Sequence, residues 1–176
     1  MPVTSDTPTN LVAGTGEVYR NQLSLGASSG ANAFRIEREL ITPDLNGIKG
    51  MLIGTDYIRR SEGVLETGFP EVSATVLSAG WPGSASDGGI GEVTTIDEDN
   101  TRRIPTSAYA DWELQVERLG GGEFQFECDN ALQTGNYEGD LTDDGFFVPR
   151  YTLRSRWDPA DLTASPHRIR ILTGVS

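Results

Sequence analysis

One cysteine, one histidine and one lysine occur among the 176 residues, namely Cys128, His167 and Lys49. Each scarcity removes a class of function. A lone cysteine forms no intramolecular disulfide, so the fold must rest on an apolar core. One histidine and one cysteine are too few ligands for zinc. Any Ser-His-Asp or Cys-His mechanism would have to run through His167, which follows Pro166 in what reads as a surface loop and has no nucleophile-elbow motif near it. No apolar run approaches the ~18 residues that span a bilayer. Met1 to Asn10 has neither the basic nor the apolar stretch of a secretory signal, which predicts a protein that stays where it is synthesised. Basic charge is also short, with 14 Lys and Arg against 26 Asp and Glu and a net charge of -12. That balance argues against a basic face that grips nucleic acid or anionic lipid.

What is present is a turn-rich globular composition, 36% hydrophobic with 21 Gly and 9 Pro, long enough to bury roughly 70% of its unfolded surface as one domain over residues 1–176. Period-two alternation dominates, predicting about eight half-buried strands. From Ala33 to Ile41, Phe34, Ile36 and Leu40 oppose Arg35, Glu37 and Glu39. Thr42, Pro43, Asp44, Leu45, Asn46, Gly47, Ile48, Lys49 and Gly50 then frame the turn of a long hairpin. Its second arm runs from Met51 to Arg60. The polar run Arg59 to Gly63 reads as a turn into a third arm with Leu65, Thr67 and Phe69 on one side. A Pro and an acid opening Pro70 to Gly80, with Val72, Val76 and Ala79 on one stripe, predict a helix of about ten residues. Trp81 to Arg103 reads as a long surface excursion, with one short strand at Val93 to Ile96.

Alternation then resumes. Ala110, Trp112, Leu114 and Val116 point inward, and Phe124, Phe126 and Cys128 do the same after the Gly120-Gly121-Gly122 turn. Glu113, Gln115, Glu117, Glu123, Gln125 and Glu127 fall on the outer face of this hairpin, the densest carboxylate row in the chain, with no arginine before Arg118. Phe147, Tyr151, Leu153 and Trp157 share the face of a following strand, and Ile169 and Ile171 mark the last one. The chemistry-bearing constellations are weak. Cys128 alternates with phenylalanines, as a buried core thiol does. The acidic turns at Asp97-Glu98-Asp99-Asn100 and Asp140 to Gly145 offer oxygen ligands for calcium but lack EF-hand spacing. No dinucleotide loop or Walker sequence occurs, and no catalytic residue, cofactor or metal is expected.

Leu11-Val-Ala-Gly-Thr-Gly-Glu-Val-Tyr19, Leu25-Gly-Ala-Ser-Ser-Gly30, the hairpin through Gly47-Ile-Lys-Gly50 and the helix after Phe69-Pro70-Glu71 follow one another in an order that resembles tailed-phage, siphovirus-like major tail (tail tube) proteins. Val148-Pro-Arg-Tyr151 and Ser165-Pro-His-Arg-Ile169 are similar in a looser way. The resemblance implies a two-sheet β-sandwich or half-barrel with one short helix. It also implies six copies per ring, and rings stacked into a hollow conduit for genome ejection. The implied partners are further copies of the chain, a tape-measure protein inside the tube, and tail terminator and distal tail proteins at its ends. DNA would pass without specific binding, no membrane would be involved, and the protein would reside in the virion after assembly in the host cytoplasm. On that reading the loop Thr42 to Gly50 reaches a neighbouring ring, because so long a hairpin projects beyond a body of about 16 Å radius of gyration. The Glu113 to Glu127 face is the candidate lumen wall, where carboxylates repel phosphates and leave DNA free to slide. The alternatives are a non-catalytic β-sandwich binding module, for carbohydrate through Trp81, Trp112 or Trp157 or for calcium, and another virion structural protein of related fold.

Overall fold

In the computed structural model, the residues described are 16–28, 32–42, 56–69, 74–81, 84–87, 95–98, 104–118, 121–136, 138–141 and 147–173. They form β1 (Glu17–Arg20), β2 (Leu23–Ala27), β3 (Ala33–Ile41), β4 (Tyr57–Gly68), α1 (Ala74–Gly80), β5 (Ser84–Asp87), β6 (Thr95–Glu98), β7 (Ala110–Glu117), β8 (Glu123–Gln133), β9 (Glu138–Leu141), β10 (Phe147–Arg154) and β11 (His167–Leu172). The architecture is mainly antiparallel β with one short helix. Among the described residues eleven strands stand where alternation predicted about eight: β1, β2, β5 and β9 are additional, the expected second and third arms fall on the one strand β4, and the strand expected at Val93 to Ile96 lies at Thr95–Glu98.

The main sheet runs β2-β1-β7-β8-β10-β4-β3, with β11 on β8 and β9 on β10. β8 is its spine. Its first half pairs with β11 and its last residues, Leu132 and Gln133, pair with β10. Asn130, at φ 48°, lies between these two stretches, opposite the register shift between Ala110 and Trp112 of β7. The sheet curls strongly. The Phe34 and Phe126 ring centroids lie 5.2 Å apart, although β3 and β8 are three strand spacings apart in the sheet order, about 14 Å if it were flat. Curling lets Val18, Trp112, Leu114 and Cys128 from one end share a core with Leu65, Phe69, Tyr151 and Leu153 from the other. Tyr151 is the junction. Its ring lies 5.3 Å from Phe69 and 6.3 Å from Trp112, and its hydroxyl donates to the Val76 carbonyl at 2.8 Å, fastening α1 to the core.

The alternation of β7 holds throughout, with Ala110, Trp112, Leu114 and Val116 all buried. Arg59 to Gly63 is different from expectation. It is the middle of the continuous strand β4, and the reversal predicted there does not occur. Its polar residues are satisfied in place. Arg60, Arg154 and Arg156 all reach the Glu62 carboxylate, which is nearly buried. Gly63 provides a close approach, because a Cβ there would stand 2.5 Å from His167 Cβ and 3.2 Å from Cys128 Sγ. Gly16 has the same kind of role, since a Cβ there would run into the Gln115 carbonyl. Val76 and Ala79 pack on the core as the stripe predicted, but the described helix is the seven residues Ala74–Gly80, and 70–73 lie outside the described residues.

Two further expectations are corrected. Trp157 lies beyond the end of β10 and is 42% exposed, away from the buried face of Tyr151 and Leu153. Past Arg154 the Ser155 N–H still bonds the Gly63 carbonyl, while the Arg156 N–H bonds the Asp129 carbonyl. His167 is the first residue of β11 and is buried, where the preceding proline suggested a surface loop.

Candidate functional site

The five strands β2, β1, β7, β8 and β11 form a continuous surface with one face on the core. On the other face Glu113 stands opposite Glu127, Gln115 opposite Gln125 and Glu117 opposite Glu123. The structure therefore brings together all six residues of the carboxylate row. β1 extends the row, placing Glu17 beside Gln115 and Tyr19 beside Glu113. The Glu17 carboxylate accepts bonds from the Ser24 hydroxyl and from Tyr19 Oη, the latter at 2.8 Å. These bonds, Ser24 first, hold its acidity below the ordinary glutamate range. Gln115 Nε2 donates to Glu113 at 2.8 Å.

The face is not free of arginine. β11, hydrogen-bonded to the far edge of β8, sets Arg168 beside Glu127 and Arg170 beside Gln125. Both guanidiniums pair with Glu127, Arg170 at 2.9 Å, and Arg168 also bonds Asp129. Glu127 is buried under them at 8% exposure. Its burial pushes the carboxyl up, more than the two arginines pull it down. The sequence separates Arg168 from Glu127 by 41 positions, so only the strand pairing reveals the contact. The other glutamates of this face are Glu17 and Glu117, which are exposed, and Glu113 and Glu123, which are half-buried.

β2 and β11 bound this surface, and among the described residues each pairs on one side only. The unpaired rows of N–H and C=O groups are templates for another strand. Their apolar residues are open as well: Leu23 on β2, and Ile169, Ile171 and Leu172 on β11, are all exposed.

A second surface is the outer end of the β3–β4 hairpin. Leu40 pairs with Ile58 and Ile41 with Tyr57, and all four are exposed, Leu40 at 62% and Tyr57 at 64%. Thr42 closes this end by a hydroxyl bond to Asp56. Pro43, Asp44, Leu45, Asn46, Gly47, Ile48, Lys49 and Gly50 lie outside the described residues, as do 1–10, 99–103 and 142–146. Below the hairpin end the polar face of β3, β4 and β10 is knitted by ion pairs. Arg35 bonds Glu37 and Glu66, and Arg154 bonds Glu37 and Glu62.

Cys128 is fully buried, with its thiol pushed up to about 12 by burial. His167 touches Ser61 and Ser155, and no carboxylate bonds its ring among the described contacts. Compared with protein-family models and with curated proteins, the chain matches none of them.

Proposed function

We propose that the chain is the repeating subunit of a viral tail tube, the major tail protein of a siphovirus-like tailed phage, assembled as stacked hexameric rings around a conduit for genome ejection. Its sheet would then serve as a half-barrel or two-layer body, with the β7–β8 face toward the lumen and the β3–β4 hairpin toward the next ring. The observation that carries this reading is the sheet bounded by β2 and β11. Among the described residues it has two open edges, one core face and one polar face lined by carboxylates, of which Glu17 and Glu117 are exposed and Glu113 and Glu123 half-buried. A head-to-tail contact between unlike edges propagates from copy to copy and closes into a ring when the rotation allows. The apolar hairpin end supports axial stacking, since exposed Leu, Ile and Tyr at a projecting tip gain most by burial against another copy.

The test is negative-stain microscopy of the purified full-length protein at high concentration. Rings or hollow tubes are expected, and a protein that stays monomeric over the whole accessible range overturns the proposal. One observation favours a second reading, a carbohydrate-binding module. Trp157 is exposed beside the Asp158–Asp161 turn, as a stacking platform would be. Such a module would remain monomeric in the same micrographs and would show Trp fluorescence quenched by oligosaccharide.

A further inference from the structure

We propose that His167 is an acid-sensitive latch that holds the edge strand β11 against β4, and that protonation of its ring releases that strand. The inference does not depend on the tail-tube reading. Among the described residues β11 pairs only with β8, and beyond its first residue it is exposed, with Ile169 at 49% and Ile171 at 57%. His167 is its buried anchor, at 7% exposure. The side chain enters the hollow left by Gly63 on β4. Nε2 lies 3.3 Å from Ser61 Oγ, and Nδ1 lies 3.5 Å from Ser155 Oγ.

The hydrogen-bond directions favour the neutral ring. Ser155 Oγ already accepts the Gly63 N–H at 2.8 Å, which leaves the hydroxyl proton to point at Nδ1. Nε2 then carries the ring proton and donates to Ser61. An imidazolium would present a second N–H to Ser155, and the displaced hydroxyl proton would have to find another acceptor in a buried site. Among the described residues, the charged and titratable groups around the ring are few. Arg38 on β3 opposes a second positive charge, and Asp129 on β8 favours one. Cys128 on β8 keeps its proton, while Ser61 and Gly63 on β4 and Ser155 after β10 bring no charge. Burial first, and Arg38 second, outweigh Asp129 and hold the imidazole below its ordinary range.

The sign follows from linkage. Above the free-imidazole value, about 6.5, the ring is neutral whether β11 is docked or open, so docking is fully favoured. As the pH falls below that value the open strand takes up a proton that the docked strand refuses. Opening therefore gains until the docked ring itself titrates.

Because His167 is the only histidine, its ring resonances in the full-length protein can be titrated by NMR without ambiguity. The expected midpoint lies below that of a free imidazole. Hydrogen exchange at pH about 7.5 and about 5, corrected for intrinsic rates, should show a several-fold loss of protection in 167–172 on acidification, with the β7 amides unchanged. His167→Gln can reach one serine with its amide nitrogen and the other with its oxygen but cannot take up a proton, so it should abolish that response. A midpoint at or above the free value, equal β11 protection at both pH values, or a Gln variant that keeps the response would each overturn the latch. If His167→Gln does not fold, the wild-type titration and exchange decide alone.

Discussion

Gly63→Ala is the sharpest probe of the packing that the sequence concealed. The φ of Gly63 lies outside the left-handed region, so the backbone itself accepts alanine. If open space surrounded the position, the substitution would stabilise the protein by roughly 0.4–1 kcal/mol through the unfolded chain. The structure reverses that sign. The new methyl would stand 2.5 Å from His167 Cβ and 3.1 Å from its Cγ, against the ~3.5–4 Å at which carbon atoms rest. About 1 Å of separation must be created. β4 cannot supply it, since Gly63 is bonded through both N–H and C=O to Ser155 and lies between β3 and β10. The edge strand β11 must move instead. Overpacking of this kind costs about 1–3 kcal/mol. At roughly 2.1 cal/mol/K of unfolding entropy per residue, a chain of 176 residues should lose about 3–8 °C in Tm by calorimetry. The control is specific. His167→Ala retains the offending Cβ and should not relieve the clash, whereas His167→Gly should, giving a double-mutant coupling of about 1 kcal/mol or more. A Gly63→Ala protein that melts at or above the wild-type temperature, or shows no coupling to His167→Gly, would refute the packing argument.

Burial raises the Glu62 carboxyl, but Arg60, Arg154 and Arg156 together bring it below its ordinary value of 4.5. Its stabilisation is therefore complete above that value and is lost as the pH falls through the lowered one; Glu62→Gln should cost about 1–3 kcal/mol at neutral pH in urea melts and flatten that acid limb. Cys128 should resist alkylation at mildly alkaline pH at the rate set by global unfolding, because its thiol is held near 12 in the native state; labelling as fast as free cysteine would place it outside the core. On the tail-tube proposal, Glu113→Lys, Glu117→Lys and Glu123→Lys together, sparing Glu127 because it holds Arg168 and Arg170, should leave tubes intact but slow DNA ejection through new phosphate contacts. Unchanged ejection from virions carrying the triple variant would move this face off the lumen.

Where burial depends on one neighbour, the sequence was readable. β7 alternates because a single core face lies behind it, and Trp112 and Leu114 are where the period puts them. β4 escaped because its second half is buried on both faces, Val64 and Leu65 alike, so its polar run could not be told from a turn without the arginines of β10 and the segment after it. The carboxylate row was legible as a row. Its arginines were not, since register between β8 and β11 joins residues some forty positions apart. His167 was misread for the same reason, because the hollow that receives it is made by a glycine 104 positions earlier.

The two polar faces of the sheet answer their charge in different ways. On β3, β4 and β10 each carboxylate meets a guanidinium across the strands, as with Glu37 and Arg154 or Glu66 and Arg35. Such a face is neutralised within the subunit. On β7 and β8 like charges stand directly opposite, Glu117 to Glu123 and Glu113 to Glu127, an arrangement that costs roughly 0.2–1 kcal/mol per pair relative to neutral residues. The arginines of β11 offset that cost at Glu127, and the amide of Gln115 eases it at Glu113. On the tail-tube proposal, a face on which like carboxylates stand opposite one another is one that a polyanion would pass without being held.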